Sequence, residues 1–426
     1  MDILIVGGGG REHAIIRALK RSPRCGKLYC APGNGGIAAD AECFPVSAAD
    51  IGGMVVLARE LAVDLVFVAP DDPLVAGMAD ALETAGIAAF GPSKAAAAIE
   101  GSKVFSKGLM KQYGIPTAAY ESFGDPEAAL GYITGRGKFP VWIKADGLAF
   151  GKGAVFCADI AQAADTLRAM MTDRIFGESG TRVVVEEHMT GPEVSVLAFT
   201  DGTTVRPMVS AMDHKQVYNG GRGPNTGGMG TVSPNPHYTA VHADWCMAHI
   251  FQPTADAMRA EGRPFRGVLF FGLMLTPDGP KVIEFNCRFG DPEAQVVLPR
   301  LKTDLIDIID AIRGERLAEA EITWSNDACA CVVMASPGYP VSYPKGLPIS
   351  GLDESGQAAD PEITVYHAGT TKNDNGYITN GGRVLGVTAK AETLEQALDK
   401  AYTAVETIHF DGAHYRKDIG KIVISD

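Results

Sequence analysis

The alternation of apolar runs with a helical stretch in the first hundred residues constrains the fold most strongly. The strand-like runs lie at 2–6, 27–30, 65–70 and 87–92, and an amphipathic helix pattern covers 11–20. Strands that alternate with helices form a parallel sheet, and their loops meet at the carboxyl ends of the strands. We therefore predict an N-terminal α/β domain that binds a ligand along that edge.

Two glycine-rich loops fall on the predicted edge. The loop Gly7–Gly10 joins the first strand to the helix, which places free N–H groups where an anion is favoured. A dinucleotide site would need an acidic residue at the end of the second strand, and none is clear there. Residues 31–36 form a second tight loop, suited to a phosphate or ribose contact. A plain structural turn explains the first loop equally well.

A strand that ends in Glu284 and Asn286 is the strongest candidate for a metal site. Side chains two apart on a strand leave the same face, so a carboxylate and an amide oxygen point together. Such oxygens suit Mg²⁺ or Mn²⁺ beside a nucleotide phosphate. Arg288 has the same parity, and a turn follows at 290–292. The alternative is a solvated strand end with scattered charges.

Residues 139–157 have the pattern of strand, glycine loop and strand. Lys144 lies on the first strand, and Lys152 lies between Gly151 and Gly153. Two lysines with a glycine loop suit a lid over a triphosphate, in which lysine acts as a point charge. An exposed hairpin with surface lysines is the alternative.

The β-branched run at 182–185 leads into Glu186, Glu187 and His188, and Glu193 begins the next strand. Adenine recognition by the strand-to-linker backbone, with a carboxylate on the ribose hydroxyls, fits this segment. Both glutamates also fit solvated strand ends, and His188 is interpreted as structural because no partner is evident.

A long glycine-rich stretch at 212–230 is predicted to be a binding loop because of its length and polarity. It carries Asp213, Asn225 and Thr226. A helix at 237–262 and strands at 265–276 and 280–285 follow. After about residue 325 the pattern predicts a small α+β domain with a packing or covering role.

Composition excludes several classes of protein. The chain has 426 residues, enough for two to four units, and its net charge of −13 argues against nucleic-acid and anionic-membrane surfaces. No apolar run approaches the length of a membrane span, and no signal peptide is evident. The eight cysteines lack zinc-type spacing, which predicts reduced thiols and a cytoplasmic protein.

The order of motifs resembles the phosphoribosylamine–glycine ligase family of the ATP-grasp superfamily. The matching stretches are GGGGREHA (7–14), APGNGG (31–36), FGPSKAAAAIEGSK (90–103), IKADGLAFGKG (143–153), DHK (213–215), GPNTGGMG (223–230), VIEFNCRFGDPE (282–293), HAGT (367–370), TNGGRVLGVTA (379–389) and RKDIG (416–420). They span the whole chain in order. Gly8, Ala69, Asp71 and Phe150 depart from residues common in the family, which bears on the substrate loops.

The resemblance implies a mixed α/β and α+β fold. An N-terminal parallel-sheet domain (1–102) would precede a two-part ATP-grasp region (103–320), whose mobile lid covers about 118–192. A small C-terminal α+β domain (321–426) would follow. The implied partners are small molecules, with no nucleic acid or membrane, and the implied state is a monomer or weak homodimer.

The resemblance also implies a reaction and residue roles. ATP, glycine and 5-phosphoribosylamine would give glycinamide ribonucleotide, ADP and phosphate through glycyl phosphate, with Mg²⁺ or Mn²⁺. Catalytic roles would fall to Arg288, Lys152 and Asp213. ATP would contact Lys103, Lys144, Gly151, Lys152, Gly153, Glu186, Glu187, His188 and Glu193. The other substrates would contact Gly9, Gly10, Asn34, Gly35, Asp213, Asn225, Thr226, Arg288 and Asp291. Glu284 and Asn286 would hold the metal.

Two other functions stay open from the sequence. Another ATP-grasp carboxylate–amine ligase would share 103–293 but lack the motifs of the first hundred residues. A nucleotide- or dinucleotide-binding protein that is not a ligase would use only the first glycine loop.

Overall fold

The N-terminal residues form the predicted parallel sheet. The structure is a computed structural model that describes residues 1–149 and 153–421. Five strands pair in the order β3-β2-β1-β4-β5, and all of their pairs are parallel. These strands are β1 Ile3–Gly7, β2 Leu28–Pro32, β3 Glu42–Cys43, β4 Leu65–Val68 and β5 Ala89–Phe90. The loops after β1, β2 and β4 therefore lie on one edge.

Helices flank this sheet and lead into the next region. They are α1 Gly10–Leu19, α2 Ile51–Glu60, α3 Asp71–Ala76, α4 Met78–Thr84, α5 Lys94–Gly101 and α6 Lys103–Tyr113. The last begins where the sequence predicts, because the Ser102 hydroxyl accepts a hydrogen bond from the Phe105 N–H at 3.1 Å. It ends at Gly114, whose φ of 67° is the left-handed conformation favoured by glycine.

A small antiparallel sheet follows, with strand order β6-β9-β7-β8. Its strands are β6 Tyr120–Phe123, β7 Val141–Ala145, β8 Ala154–Cys157 and β9 Val183–Glu187, and its helices are α7 Pro126–Arg136 and α8 Ile160–Leu167. A π-helical turn, Arg168–Thr172, continues α8. Side chains such as Ile133, Ile143 and Val185 form a hydrophobic core of its own. These elements lie within residues 118–192, the range that the sequence analysis assigns to a lid.

A second antiparallel sheet has the order β11-β10-β16-β17. The strands after the small sheet are β10 Glu193–Asp201, β11 Val205–Pro207, β12 Met212–Asp213, β13 Gln216–Tyr218, β14 Arg222–Asn225, β15 Gly230–Ser233, β16 Arg266–Thr276 and β17 Gly279–Asn286. The helices are α9 Ala240–Cys246, α10 Gln252–Ala260, α11 Ala294–Val297 and α12 Leu305–Arg313. A π-helical turn, Met247–Phe251, joins α9 to α10, so the predicted helix at 237–262 is slightly shorter and interrupted.

The C-terminal residues share a sheet with the predicted binding stretch. The remaining elements are β18 Ala328–Ala335, β19 Ile363–His367, β20 Thr370–Asn373, β21 Gly376–Thr379, β22 Arg383–Ala391 and α13 Leu394–Val405. The sheet order β12-β15-β18-β22-β19 joins them to residues 212–233. In the described part of the chain, every helix falls short of the length and apolarity that crossing a membrane requires.

Candidate active site

Residues from both antiparallel sheets line one cavity of about 430 Å³. The lid sheet contributes Lys144 and Glu186, and β17 contributes Glu284 and Asn286. Most of the site residues predicted from the sequence line it. These are Lys103, Lys144, Glu186, Glu187, His188, Glu193, Asp213, Asn225, Thr226, Glu284, Asn286, Arg288 and Asp291. The cavity brings together side chains that are nearly two hundred residues apart in the chain.

Some predicted site residues lie elsewhere. Gly151 and Lys152 fall outside the described residues, as does Phe150. Gly153 sits in the lid hairpin, where its carbonyl accepts from the Ala145 N–H. Gly9, Gly10, Asn34 and Gly35 belong to the N-terminal loops and do not line the cavity.

The predicted pair on β17 offers two oxygens to a cation. Asn286 donates its side-chain N–H to Glu100 at 2.8 Å, which leaves the amide oxygen available. The Glu284 carboxylate lies 3.7 Å from the Lys215 amine. Burial opposes ionisation of Glu284, but Lys215 and other nearby cations keep the pKa of its carboxyl group below the usual value. One carboxylate and one amide fit a divalent ion whose other ligands are nucleotide phosphates and water.

Glu100 holds this strand end together, and the sequence analysis missed it. Its carboxylate accepts from the Asn286 side chain, from the Cys287 N–H at 2.6 Å and from Arg288 at 3.1 Å. It is buried, and burial raises the pKa of its carboxyl group. The signal available was a single carboxylate at the end of the alanine-rich helix 94–101.

Arg288 bridges two carboxylates at the floor of the cavity. One of its terminal nitrogens donates to Asp71 and to Glu100, each at 3.1 Å. Burial would raise the pKa of Asp71, but Arg288 and Arg11 lower it to about 2. The Arg288 Nε is buried and lacks a hydrogen-bond partner within residues 1–149 and 153–421. Asp71, one of the departures from the family, thus positions the predicted catalytic arginine.

A group of lysines also lines the cavity. Lys144 and Lys107 contact the same oxygen of Glu186, at 2.9 and 3.1 Å. Burial lowers the pKa of Lys107 to about 8, although Glu186 opposes this shift. Lys103 donates to the Gly147 carbonyl at 3.4 Å. The second Glu186 oxygen has no partner among the described residues, so it remains available to a ligand hydroxyl. Lys107 is a further residue that the sequence analysis missed.

His188 has a hydrogen-bond partner that was not evident from the sequence. The Trp142 indole N–H donates to His188 Nδ1 at 3.1 Å. The Phe156 ring meets the imidazole edge to face, with centroids 5.4 Å apart. Glu187 accepts from the Ala119 N–H at 2.9 Å. These contacts place an aromatic wall and the 187–188 backbone beside the lysine cluster.

The Lys215 amine lies between two carboxylates of the cavity. Its amine lies 3.4 Å from Glu193 and 3.7 Å from Glu284. Glu193 is the largest cause of the rise in the Lys215 pKa, so this lysine stays charged. The Thr226 hydroxyl donates to the Lys215 carbonyl at 2.8 Å, which ties the glycine-rich loop to the same point.

The half-buried Asp213 and the buried Glu293 line the same cavity. Asp213 accepts from the His214 N–H at 2.7 Å, and Glu293 accepts from the Ser195 hydroxyl at 3.0 Å. Burial, and then the charge of Glu293, raises the pKa of Asp213 well above its usual value.

Arg383 brings the C-terminal domain into the site. It donates to the Gly227 and Asp291 carbonyls, both at 2.6 Å, and lies 3.3 Å from the Asp291 carboxylate. The side chains of Arg416 and Lys421 also line the cavity. The predicted packing role for this domain was therefore incomplete.

The first glycine loop reaches the site through Asp291. The Arg11 N–H donates to that carboxylate at 3.4 Å. A Cβ at Gly9 would lie 3.3 Å from Asp291 Oδ2. Because Gly9 and Gly10 lack side chains, the start of α1 can approach Asp291. Gly8 packs more tightly against the second glycine loop, because a Cβ there would clash with the Gly33 carbonyl oxygen.

The second glycine loop contacts the C-terminal domain. The Asn34 amide donates to the Gly8 and His367 carbonyls, at 2.9 and 2.8 Å, and its oxygen accepts from the Gly36 and Ile37 N–H groups. Gly35 donates its N–H to the Thr370 carbonyl at 3.1 Å. These bonds use every hydrogen-bonding group of the Asn34 side chain, so the loop joins domains here.

Family models match nearly all of the chain. The phosphoribosylglycinamide synthetase N domain matches residues 1–100, its ATP-grasp (A) domain matches 101–294, and its C domain matches 329–422. A different ATP-grasp ligase would not match the first of these models, and a protein that uses only the first glycine loop would not match the others. Both alternatives are therefore disfavoured.

Curated relatives match nearly all of this chain. The chain is 46% identical to phosphoribosylamine–glycine ligase of Caldanaerobacter subterraneus, covering 98% of this chain and 99% of that one. It is 47% identical to the chloroplastic enzyme of Arabidopsis thaliana, covering 96% and 78%. It also matches a trifunctional purine biosynthetic protein of Gallus gallus at 46% identity, covering 98% of this chain and 42% of the longer one.

Solved structures support the same assignment. Phosphoribosylamine–glycine ligase of Thermotoga maritima superposes with a TM-score of 0.85 at 30% identity, covering 98% of this chain and all of that one. Biotin carboxylase of Campylobacter jejuni, at 16% identity over 97% of this chain and 92% of that one, has a TM-score of 0.75 and shares the fold alone. The chain, with an N-terminal parallel-sheet domain, an ATP-grasp region and a C-terminal domain, belongs to the phosphoribosylamine–glycine ligase family.

Proposed function

We propose that this chain joins glycine to 5-phosphoribosylamine with ATP, giving glycinamide ribonucleotide, ADP and phosphate in purine biosynthesis. The observation that carries the proposal is the cavity itself. It places an oxygen pair for a cation, a lysine cluster and a carboxylate-held arginine together, in a chain that matches a bacterial phosphoribosylamine–glycine ligase over 99% of that enzyme's length.

The cation site fits Mg²⁺ or Mn²⁺. Glu284 supplies an anionic oxygen. Asn286 supplies an amide oxygen, because the N–H side of its amide group donates to Glu100. Mg²⁺ commonly takes one or two protein oxygens and fills its shell with water and phosphate. When bound, the ion neutralises charge on the transferring phosphoryl group.

The lysine cluster is the proposed nucleotide end. Lys103 and Lys144 neutralise phosphate charge, together with Lys152 of the lid loop. The unpartnered oxygen of Glu186 and the carboxylate of Glu193 accept from ribose hydroxyls. The backbone groups of residues 187–188 form hydrogen bonds with adenine, on the side of the cavity that Trp142 lines.

The other end is the proposed acceptor site. Arg288, held by Asp71 and Glu100, steadies the glycine carboxylate or the phosphoryl group. Asn225, Thr226 and the Asp291 region contact phosphoribosylamine, with Gly9 and Gly10 behind Asp291. Asp213 takes a proton from the attacking amine, which its raised pKa favours.

The chemistry follows from the poor leaving group of a carboxylate. Transfer of the γ-phosphoryl group to glycine makes an acyl phosphate, and the ribosylamine nitrogen then displaces phosphate. Positioning and charge neutralisation supply the rate enhancement, and no covalent enzyme nucleophile is required. We further propose cytoplasmic location, because free cysteines are typical of reducing compartments, and a monomer or weak dimer.

An isotope experiment tests the proposal. Amino acids are first supplied one at a time with ATP, Mg²⁺ and phosphoribosylamine made in situ, and ADP release should require glycine. Glycine labelled with ¹⁸O in its carboxylate should then pass label to the released phosphate, while ADP carries none. Unlabelled phosphate, with product formation confirmed in the same tube, would exclude glycyl phosphate.

A further inference from the structure

A second concave site lies where the three regions of the chain meet. It has a volume of about 610 Å³ and opens to solvent. Arg21 follows α1, Arg300 and Lys302 belong to the turn after α11, and Lys390 lies on β22. None of these residues lines the cavity described above. We call this site the junction pocket.

The junction pocket concentrates positive charge in an acidic protein. Four cations and one carboxylate, Asp327, line it, whereas the whole chain carries a net charge of −13. Lys390 pairs with Asp327 at 3.4 Å. Throughout the described ranges, the other three cations have no carboxylate within 4.0 Å. The pocket thus holds uncompensated positive charge that an anionic ligand would neutralise.

Arg300 gives the pocket a fixed wall. Its side chain donates to the Ser233 hydroxyl at 2.7 Å and to the Ser325 carbonyl at 3.1 Å. Only 5% of the residue is exposed, and its Nε lacks a hydrogen-bond partner in the described structure. A buried guanidinium with no counter-ion is unfavourable unless an anion or water compensates it.

Arg21 is held in place as well. Its guanidinium donates to the Leu298 and Leu301 carbonyls, at 3.0 and 3.4 Å. Two arginines fixed by backbone and hydroxyl groups therefore frame the pocket, and Lys302 and Lys390 are exposed side chains that can turn towards a ligand. Guanidinium and ammonium groups together recognise phosphate oxygens.

We propose that the junction pocket binds a phosphate-type dianion, either free phosphate or the phosphate of a small metabolite. Such a ligand would join the end of α1, the turn at 298–302 and β22, and so would stabilise the contact of the C-terminal domain with the rest of the chain. The site is independent of the ligase assignment.

The test uses the full chain with inorganic phosphate as probe, at constant ionic strength set with KCl. ADP and Mg²⁺ at saturation occupy the main cavity. Isothermal titration should then show phosphate binding to the wild type, with a higher midpoint of thermal unfolding because the ligand binds the folded state. Lys302→Ala combined with Lys390→Ala should weaken that binding about tenfold or more.

Lys138→Ala combined with Lys345→Ala is the matched control, since both lysines are exposed and lie outside the pocket. It removes the same charge and should bind phosphate as the wild type does. A parallel titration with AMP distinguishes the source, because tighter binding of AMP would point to a phosphorylated metabolite and equal or weaker binding to free phosphate. Equal phosphate affinity in the wild type and the pocket variant, or no binding to either, would overturn the proposal.

Discussion

At the scale of residues, Glu100 orients the side chains of Asn286 and Arg288. By accepting from the Asn286 amide and from Arg288, it turns the amide oxygen towards the cavity and anchors the guanidinium. A buried carboxylate with three donors is costly to remove, because its partners would remain desolvated and unpaired. Glu100 thus sets the geometry of the residues to which we assign roles in binding metal and substrate.

Glu284→Gln tests the cation site. The substitution keeps the shape and removes the anionic ligand, so we expect turnover to fall about 100-fold or more and to require more Mg²⁺. Steady-state rates over a Mg²⁺ series measure this, with circular dichroism to confirm the fold. Glu83→Gln, an exposed site without side-chain contacts in the described residues, is the control. Near-normal activity at low Mg²⁺ would refute the assignment.

Lys107 predicts a pH dependence. Its pKa of about 8 in the folded state is below the usual value of about 10.4. Between these values the unfolded chain holds a proton that the folded one releases, so this group makes the free energy of unfolding rise with pH. The affinity for nucleotide should change in the opposite direction and fall as the pH rises. Above about pH 8, neutral Lys107 leaves the Glu186 charge less compensated, and phosphates are repelled.

The measurement is the ADP dissociation constant by calorimetry across that pH range. Affinity should fall above about pH 8 in the wild type and be nearly independent of pH in Lys107→Met. Lys111→Met is a matched control, because Lys111 lies over the same Tyr120 ring, at 5.8 Å compared with 5.6 Å for Lys107. An unchanged pH profile in Lys107→Met would show that another group titrates.

At the scale of elements, a strand, a loop and a turn from separate parts of the chain meet at the proposed acceptor site. Strand β22 supplies Arg383, the 223–230 loop supplies Gly227, and the turn after β17 supplies Asp291. The Tyr339 hydroxyl also accepts from the Gly227 N–H at 3.1 Å. The glycine-rich loop is thus held by the C-terminal domain as well as by Lys215.

Arg383→Lys tests this convergence. Lysine keeps the charge but lacks the planar fork that reaches two carbonyls and a carboxylate. We expect kcat/KM for glycine and phosphoribosylamine to fall about tenfold or more, while the dissociation constant for ADP stays unchanged. Arg313→Lys, at an exposed position, is the control. Equal losses in ADP and acceptor affinity would contradict a role confined to the acceptor end.

The lid hairpin carries a second prediction at this scale. Lys152 lies outside the described residues, and its role rests on the glycine-flanked motif of 147–153. Lys152→Ala should cost little stability and lower turnover about 100-fold, with Lys138→Ala as control. Limited proteolysis at this loop should slow when ATP and Mg²⁺ are added. A cleavage rate that ignores nucleotide would exclude lid closure.

At the scale of the whole molecule, the C-terminal domain completes the ATP-grasp region. Strand β15 pairs with β18 from Gly230↔Val332 to Ser233↔Cys329, and β12 pairs with β15. The stretch that carries Asp213 therefore depends on strands that follow residue 327 for its support. The predicted boundary near 321 separates strands that belong to one sheet, because β12 and β15 precede it and β18, β19 and β22 follow it. The chain does pass from the ATP-grasp region to the C-terminal domain near that residue.

A truncated chain of residues 1–320 tests this dependence. Without β18 the edge of β15 is unpaired and its apolar residues are exposed, so we expect loss of ligase activity and binding of a hydrophobic dye. Co-expression with residues 321–426 should restore activity. An active, compact truncated chain would show that the boundary separates independent units.

The sequence by itself determined the fold class, several of the elements and the family. Period and glycine placement predicted the parallel sheet, α6 and the β17 pair, because those features depend on local geometry. Motif order led to the family. The distant partners came only from the tertiary structure. Glu100, Lys107, Lys215 and Arg383 are separated from the residues they hold by up to 188 positions, as for Glu100 and Arg288. Local patterns carry no information on which buried charge will meet which, because that depends on packing between domains.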